Sequence, residues 1–160
     1  MLENLFNLEG KVALVTGGAK GIGAMITQGS VEAGVKVYIS SRSAEACSAF
    51  AVDMSQHGTC VALPTNLLDI ENIETLAKEL GKREEKIDIL INNSRATWGA
   101  PIDSFPEKGW DKVMDLNVKS VFFLTKSLLP LLKAGGTATD PSRVITVSYT
   151  HLTLPTIDSV

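Results

Sequence analysis

Residues 12–23, VALVTGGAKGIG, constrain this chain more than any other stretch. A short β-branched run passes without a linker into glycines at 17, 18, 21 and 23 and then into a helical pattern. The run Val12 to Thr16 is almost continuously apolar, as a strand covered on both faces must be. Gly17 and Gly21 permit a tight turn and a close backbone approach that any side chain would hinder. The helix, expected over residues 22–33, starts with unpaired N–H groups and the positive end of its dipole at this same corner. Gly23 lets that helix lie near the sheet. Strand, tight corner and helix in succession begin a right-handed crossover, which requires a second parallel strand.

The rest of the chain supplies it and repeats the unit. Gly34 ends the helix, and residues 35–40 (VKVYIS) form a second strand. A helix over residues 44–56 leads through Gly58 to a third strand, residues 60–65 (CVALPT). A charged helix over 70–85, a strand over 87–91, a long helix over 106–133 and a fifth strand, RVITV at 143–147, complete the series. The expected class is α/β: a Rossmann-type doubly wound parallel sheet in three layers, α/β/α, that stops after its fifth strand. Nothing divides the chain, and AGGTATDPS is a loop between helix and strand. One domain of 160 residues can bury about 70% of its unfolded surface.

Composition removes several alternatives. A net charge of -3 provides no basic field for nucleic acid. Two cysteines and two histidines lack the spacing of a metal site, so no metal is expected, and free thiols suit a reducing cytoplasm. The opening MLENLFNLEGK is acidic and amphiphilic, unlike a targeting signal, and charge interrupts every apolar run before it could span a membrane.

The glycine corner is a candidate diphosphate site, with Gly17, Lys20, Gly21, Ile22 and Gly23 as its residues. A glycine-rich turn without any ligand is the plainer alternative. An NAD site wants a carboxylate at the end of the second strand, for the ribose 2′-hydroxyl. This chain has Ser40-Ser41-Arg42-Ser43 there and no acid before Glu45. Arg42 could fork onto a 2′-phosphate, with Ser41 beside it and Lys20 approaching from the loop. Charge-assisted bonds of about 1.5–3 kcal/mol each would set a preference for NADP(H) over NAD(H). Merely solvated cations are the alternative.

Three motifs in order resemble the short-chain dehydrogenase/reductase family over residues 8–147. They are T-G-x-x-x-G-x-G at Thr16, Gly17, Gly21 and Gly23, ILINNS with Asn92 and Asn93, and MDLNVKSVF with Asn117. The similarity is greatest to its NADPH-dependent 3-oxoacyl or carbonyl reductases. It implies hydride transfer between NADP(H) and a small carbonyl or alcohol substrate, in a parent protein that forms homo-oligomers. It also implies roles. Asn92 would tie neighbouring strands, Asn93 and Ser94 would run alongside the cofactor riboses, and Asn66 with Leu67 would stand by the adenine. Asn117 would be the catalytic asparagine, bending its helix and holding a water in a proton relay.

The sequence departs from the family pattern in two places. Arg95 stands where the family has glycine, and an arginine resists positive φ. Weakened cofactor affinity, recovered by Arg95→Gly, is the expectation. The family's Tyr-x-x-x-Lys pair is also missing: Tyr149 is followed by Thr153 and Tyr38 by Arg42, while Tyr149 rather than Ser148 falls in the serine slot. Residues 147–156, VSYTHLTLPT, are reproduced in full by translating a string that resembles a transposon-end sequencing adapter. The expected division is therefore a dinucleotide-binding domain at 1–147, truncated at its C-terminus, and a non-native tail at 148–160. Three functional classes follow: a reductase by ancestry with no turnover from these 160 residues, a nucleotide-binding module without chemistry, and a non-functional reading frame. The helix over residues 110–133, apolar almost all round, is expected to leave a sticky face.

Overall fold

The computed structural model describes residues 7–148. Five parallel strands form one sheet in the order β3-β2-β1-β4-β5. They are β1 (Val12–Thr16), β2 (Lys36–Ser40), β3 (Cys60–Ala62), β4 (Ile89–Asn92) and β5 (Arg143–Thr146). The helices α1 (Gly21–Glu32), α2 (Ala44–Met54), α3 (Ile70–Arg83), α4 (Glu107–Met114) and α5 (Ser120–Gly135) cover both faces, the doubly wound α/β arrangement expected. Side-chain alternation sorts the core into two layers. Val12 and Leu14 point with Tyr38 and Leu90 toward Ile73, Leu80, Leu124 and Leu128 of α3 and α5. Ala13 and Val15 point with Val37 and Ile39 toward Val31, Cys47 and Ala51 of α1 and α2.

Local signals explain most boundaries. Gly34 takes φ +80° after α1, a conformation that excludes most other residues. Ser43 Oγ accepts the Ala46 amide at the start of α2, and Asp69 accepts the Glu71 amide at the start of α3. Regular β3 stops at Ala62, short of the expected residue 65; Pro64 falls on this edge strand where its missing N–H would face away from β2. Leu63 and Thr65 still donate to Ile39 and Ser41. β4 begins later than expected: Asp88, 3% exposed, spends one carboxylate oxygen on the Val12 amide and the other on Lys86.

The long helix differs most from expectation. A π-helical turn, Asp115–Lys119, separates α4 from α5. One side of α5 is buried through Leu124, Leu128 and Leu132, while Val118, Phe122 and Leu129 remain exposed. β5 lies at the sheet edge, and Val144 and Ile145 are exposed. Tyr149 and most of the expected tail lie outside the described residues; Ser148 is described and exposed. Among the described residues no helix is long and apolar enough to cross a membrane.

Candidate cofactor site

β1, β2 and β4 end level with one another, Thr16 opposite Ser40 and Val15 opposite Ile91. The glycine corner opens from this rim. The Gly17 amide donates to the Ser40 carbonyl at 2.6 Å, and Gly17 and Gly21 take φ of 65° and 54°. Gly23 has no room for a side chain: a Cβ there would lie 2.1 Å from the Gly17 carbonyl oxygen. Helix α1 therefore starts pressed against the loop. Its first turn has neither a side-chain cap nor an acidic residue, unlike α2 and α3, so its amides remain available to an anion.

The loop after β4 is anchored to β1 through one hydroxyl. Thr16 Oγ1 accepts the amides of Asn93 and Ser94, both at 2.9 Å, and donates to the Ile91 carbonyl at 3.4 Å. That saturates the hydroxyl. Asn93 Nδ2 adds bonds to the carbonyls of Thr16 (3.0 Å) and Gly17 (3.3 Å). The tying of strands expected of Asn92 thus falls to Asn93; Asn92 is buried, and its Nδ2 has no partner among the described residues.

Between these elements lies a cavity of about 640 Å³. Gly17, Lys20, Gly21 and Ile22 form its floor, Ser41, Arg42 and Ser43 its β2 wall, and Thr65 and Leu67 the side toward β3. Asn93, Ser94 and Arg95 complete it on the β4 side. Lys20, Arg42 and Arg95 bring three positive charges, and among the described residues no carboxylate lines the cavity. Cations gathered around one concavity suit a ligand with several phosphates.

Asn66 is exposed and outside this cavity; its Oδ1 turns back to accept the Leu68 amide at 3.3 Å, and Thr65 lines the cavity instead. Asn117 is also elsewhere. Its Oδ1 accepts the Ala96 amide at 2.8 Å and its Nδ2 donates to the Ala96 carbonyl at 2.9 Å, so its carboxamide positions the β4 loop. It does so from the π turn, which shifts its register relative to a regular helix. Arg95 does not need a left-handed backbone, since every positive φ among the described residues belongs to glycine. The strain expected there is absent.

Other polar groups stand apart from the cavity. Tyr38 gives its hydroxyl proton to Glu84, which also pairs with Lys36. Burial raises the Tyr38 pKa, and its bond to Glu84 adds to the rise. Cys47 and Cys60 are free and buried. Burial, then the neighbouring Cys47, pushes the Cys60 thiol up to about 11.

Strand order, glycine corner and polyphosphate-sized basic cavity together define a dinucleotide-binding domain of the Rossmann type. The chain belongs to the short chain dehydrogenase family, whose model matches residues 11–154. It is 48% identical over 142 residues to a rhamnolipids biosynthesis 3-oxoacyl-[acyl-carrier-protein] reductase of Pseudomonas aeruginosa, covering 89% of this chain and 56% of that protein. Among solved structures, an NADP active-site complex of Pseudomonas aeruginosa RhlG matches with a TM-score of 0.85 at 48% identity, over 88% of this chain and 55% of that one. A metagenomic short-chain oxidoreductase in complex with NADP matches with a TM-score of 0.81 at 26% identity, over 89% and 63%. The chain spans about half the length of the curated relatives it matches.

Proposed function

We propose that this chain is the cofactor-binding part of an NADP(H)-dependent reductase acting on a carbonyl or alcohol, a 3-oxoacyl thioester being the favoured substrate class. The observation that carries the cofactor choice is the wall beyond β2, where Ser41, Arg42 and Ser43 meet Lys20 across a cavity that no carboxylate lines among the described residues. A 2′-phosphate fits that wall, whereas a bare ribose diol would meet cations in place of an acceptor. The resemblance to the 3-oxoacyl reductase supports the substrate class. The bound nicotinamide would supply hydride. The protein's part is to grip the diphosphate with the loop of Gly17 and Gly21, hold the 2′-phosphate with Arg42 and Lys20, and keep the β4 loop in place through Thr16 and Asn117.

A second reading, binding without turnover by the 160 residues as written, is favoured by the sequence: neither tyrosine is followed four residues later by a lysine. Exposed Val118, Phe122 and Leu129 support self-association of the parent protein, and buried free thiols support a cytoplasmic setting. Residues 148–160 are proposed to lie outside the native domain, and resequencing the source DNA with a different library chemistry tests that division. The cofactor proposal is tested by titrating the protein with NADPH and NADH and following nucleotide fluorescence. NADPH should bind at least tenfold more tightly, the factor expected for about 1.4 kcal/mol. Tighter NADH binding refutes the assignment, and NADPH oxidation with an acetoacetyl thioester refutes the reading without turnover.

A further inference from the structure

Arg95 is a cation of the cavity wall that the 2′-phosphate assignment does not use. It follows directly on the residue that touches the glycine corner: a Cβ on Gly17 would lie 3.3 Å from the Ser94 hydroxyl and 3.4 Å from the Ser94 Cα. The backbone is pinned on both sides of it. Before it, the Ser94 amide donates to Thr16 Oγ1 at 2.9 Å. After it, Ala96 exchanges two hydrogen bonds with the Asn117 carboxamide, at 2.8 and 2.9 Å. Arg95 therefore starts from a fixed root, without positive φ, and lines the cavity with Ser94 and Leu116.

Position separates Arg95 from Arg42. β2 and β4 flank β1 on opposite sides, so the strand ends that precede the two arginines stand two strand spacings apart, roughly 10 Å. The glycine corner and the uncapped start of α1 lie between them. An anion on that corner is approached from the β2 side by Arg42 and from the β4 side by Arg95. The 2′-phosphate belongs beyond the end of β2, with Arg42. The group left for Arg95 is the diphosphate over the corner.

We infer that Arg95 is a second anion clamp, gripping the cofactor diphosphate from the β4 side. The inference rests on the dinucleotide reading and adds a rule to it: Arg42 discriminates between NADPH and NADH, whereas Arg95 strengthens both equally. It reverses the sequence-based expectation that Arg95 obstructs the cofactor. A planar fork on a fixed root loses little freedom on binding, which makes such a contact effective.

The test is a titration of NADPH and NADH against wild type, Arg95→Ala, Arg95→Gly, Arg95→Lys and Arg42→Ala. Arg95→Ala and Arg95→Gly should each raise Kd about tenfold for both cofactors and leave the NADPH/NADH ratio unchanged. Arg95→Lys, which keeps the charge without the fork, should recover part of the loss, and Arg42→Ala should collapse the ratio. Unchanged or tighter binding by Arg95→Gly overturns the inference, as does a loss confined to NADPH, which would move Arg95 to the 2′-phosphate. Wild-type protein that binds neither cofactor overturns the dinucleotide reading itself, and the clamp with it.

Discussion

Replacing Gly23 by alanine places one methyl group at the tightest contact in the site. Its Cβ would sit 2.1 Å from the Gly17 carbonyl oxygen, 2.8 Å from the Gly17 carbonyl carbon and 2.5 Å from Asn93 Nδ2. All three are far inside van der Waals contact, and two belong to backbone that cannot rotate away. Helix α1 or the loop must move, and the bonds from Asn93 Nδ2 to Thr16 (3.0 Å) and Gly17 (3.3 Å) are the first to go. Overpacking costs about 1–3 kcal/mol, and each lost bond adds about 1 kcal/mol. Gly23→Ala should therefore lower unfolding stability by about 2–5 kcal/mol and abolish measurable NADPH binding. Gly29→Ala is the control on the same helix. Gly29 is exposed, lies inside α1 and has open space where an alanine methyl would go, so alanine should stabilise by about 0.5–1 kcal/mol. Urea denaturation and NADPH titration of both variants provide the comparison. Wild-type stability and binding in Gly23→Ala would refute the packing argument.

Asn117→Asp keeps an acceptor for the Ala96 amide but sets a carboxylate oxygen against the Ala96 carbonyl; stability should fall by about 1–3 kcal/mol, with a higher Kd for NADPH. Equal urea midpoints would show that the clamp contributes nothing. Burial pushes the Glu84 carboxyl up, yet its bonds from Lys36 and Tyr38 outweigh this and leave its pKa below the ordinary 4.5. The stability this provides is complete above that value and is lost as pH falls through the lowered one, so Glu84→Gln should flatten the acid limb of a stability-pH profile. A slope identical to wild type would count against it. Cys47 and Cys60 should resist a thiol reagent at pH 8 in the native protein and react together on unfolding, because both are buried and the Cys60 thiol is pushed up to about 11. Rapid native labelling of Cys60 would contradict that.

The alternation of strands and helices, the parallel sheet and the glycine corner are all written in the chain. These depend on local rules: apolar runs, capping side chains, and glycines at φ values other residues avoid. β1 was legible to the residue, and α1, α2 and α3 to within two residues at either end. Lys20 was legible from its place in the glycine loop, and Ser41 and Arg42 because they follow directly on the end of β2. Tertiary structure alone decided the rest. Thr16 became the anchor of the β4 loop, and Asn93 rather than Asn92 the tie, through bonds between residues 76 to 78 positions apart. No periodicity encodes such partners. Asn66 accepts the neighbouring Leu68 amide, and Asn117 bonds Ala96 from a π turn, two arrangements that no residue spacing encodes. Arg95 followed the same rule: its residue type suggested strain, and only the fold, by pinning Ser94 and Ala96, determined that its backbone is relaxed and that it stands over the cavity.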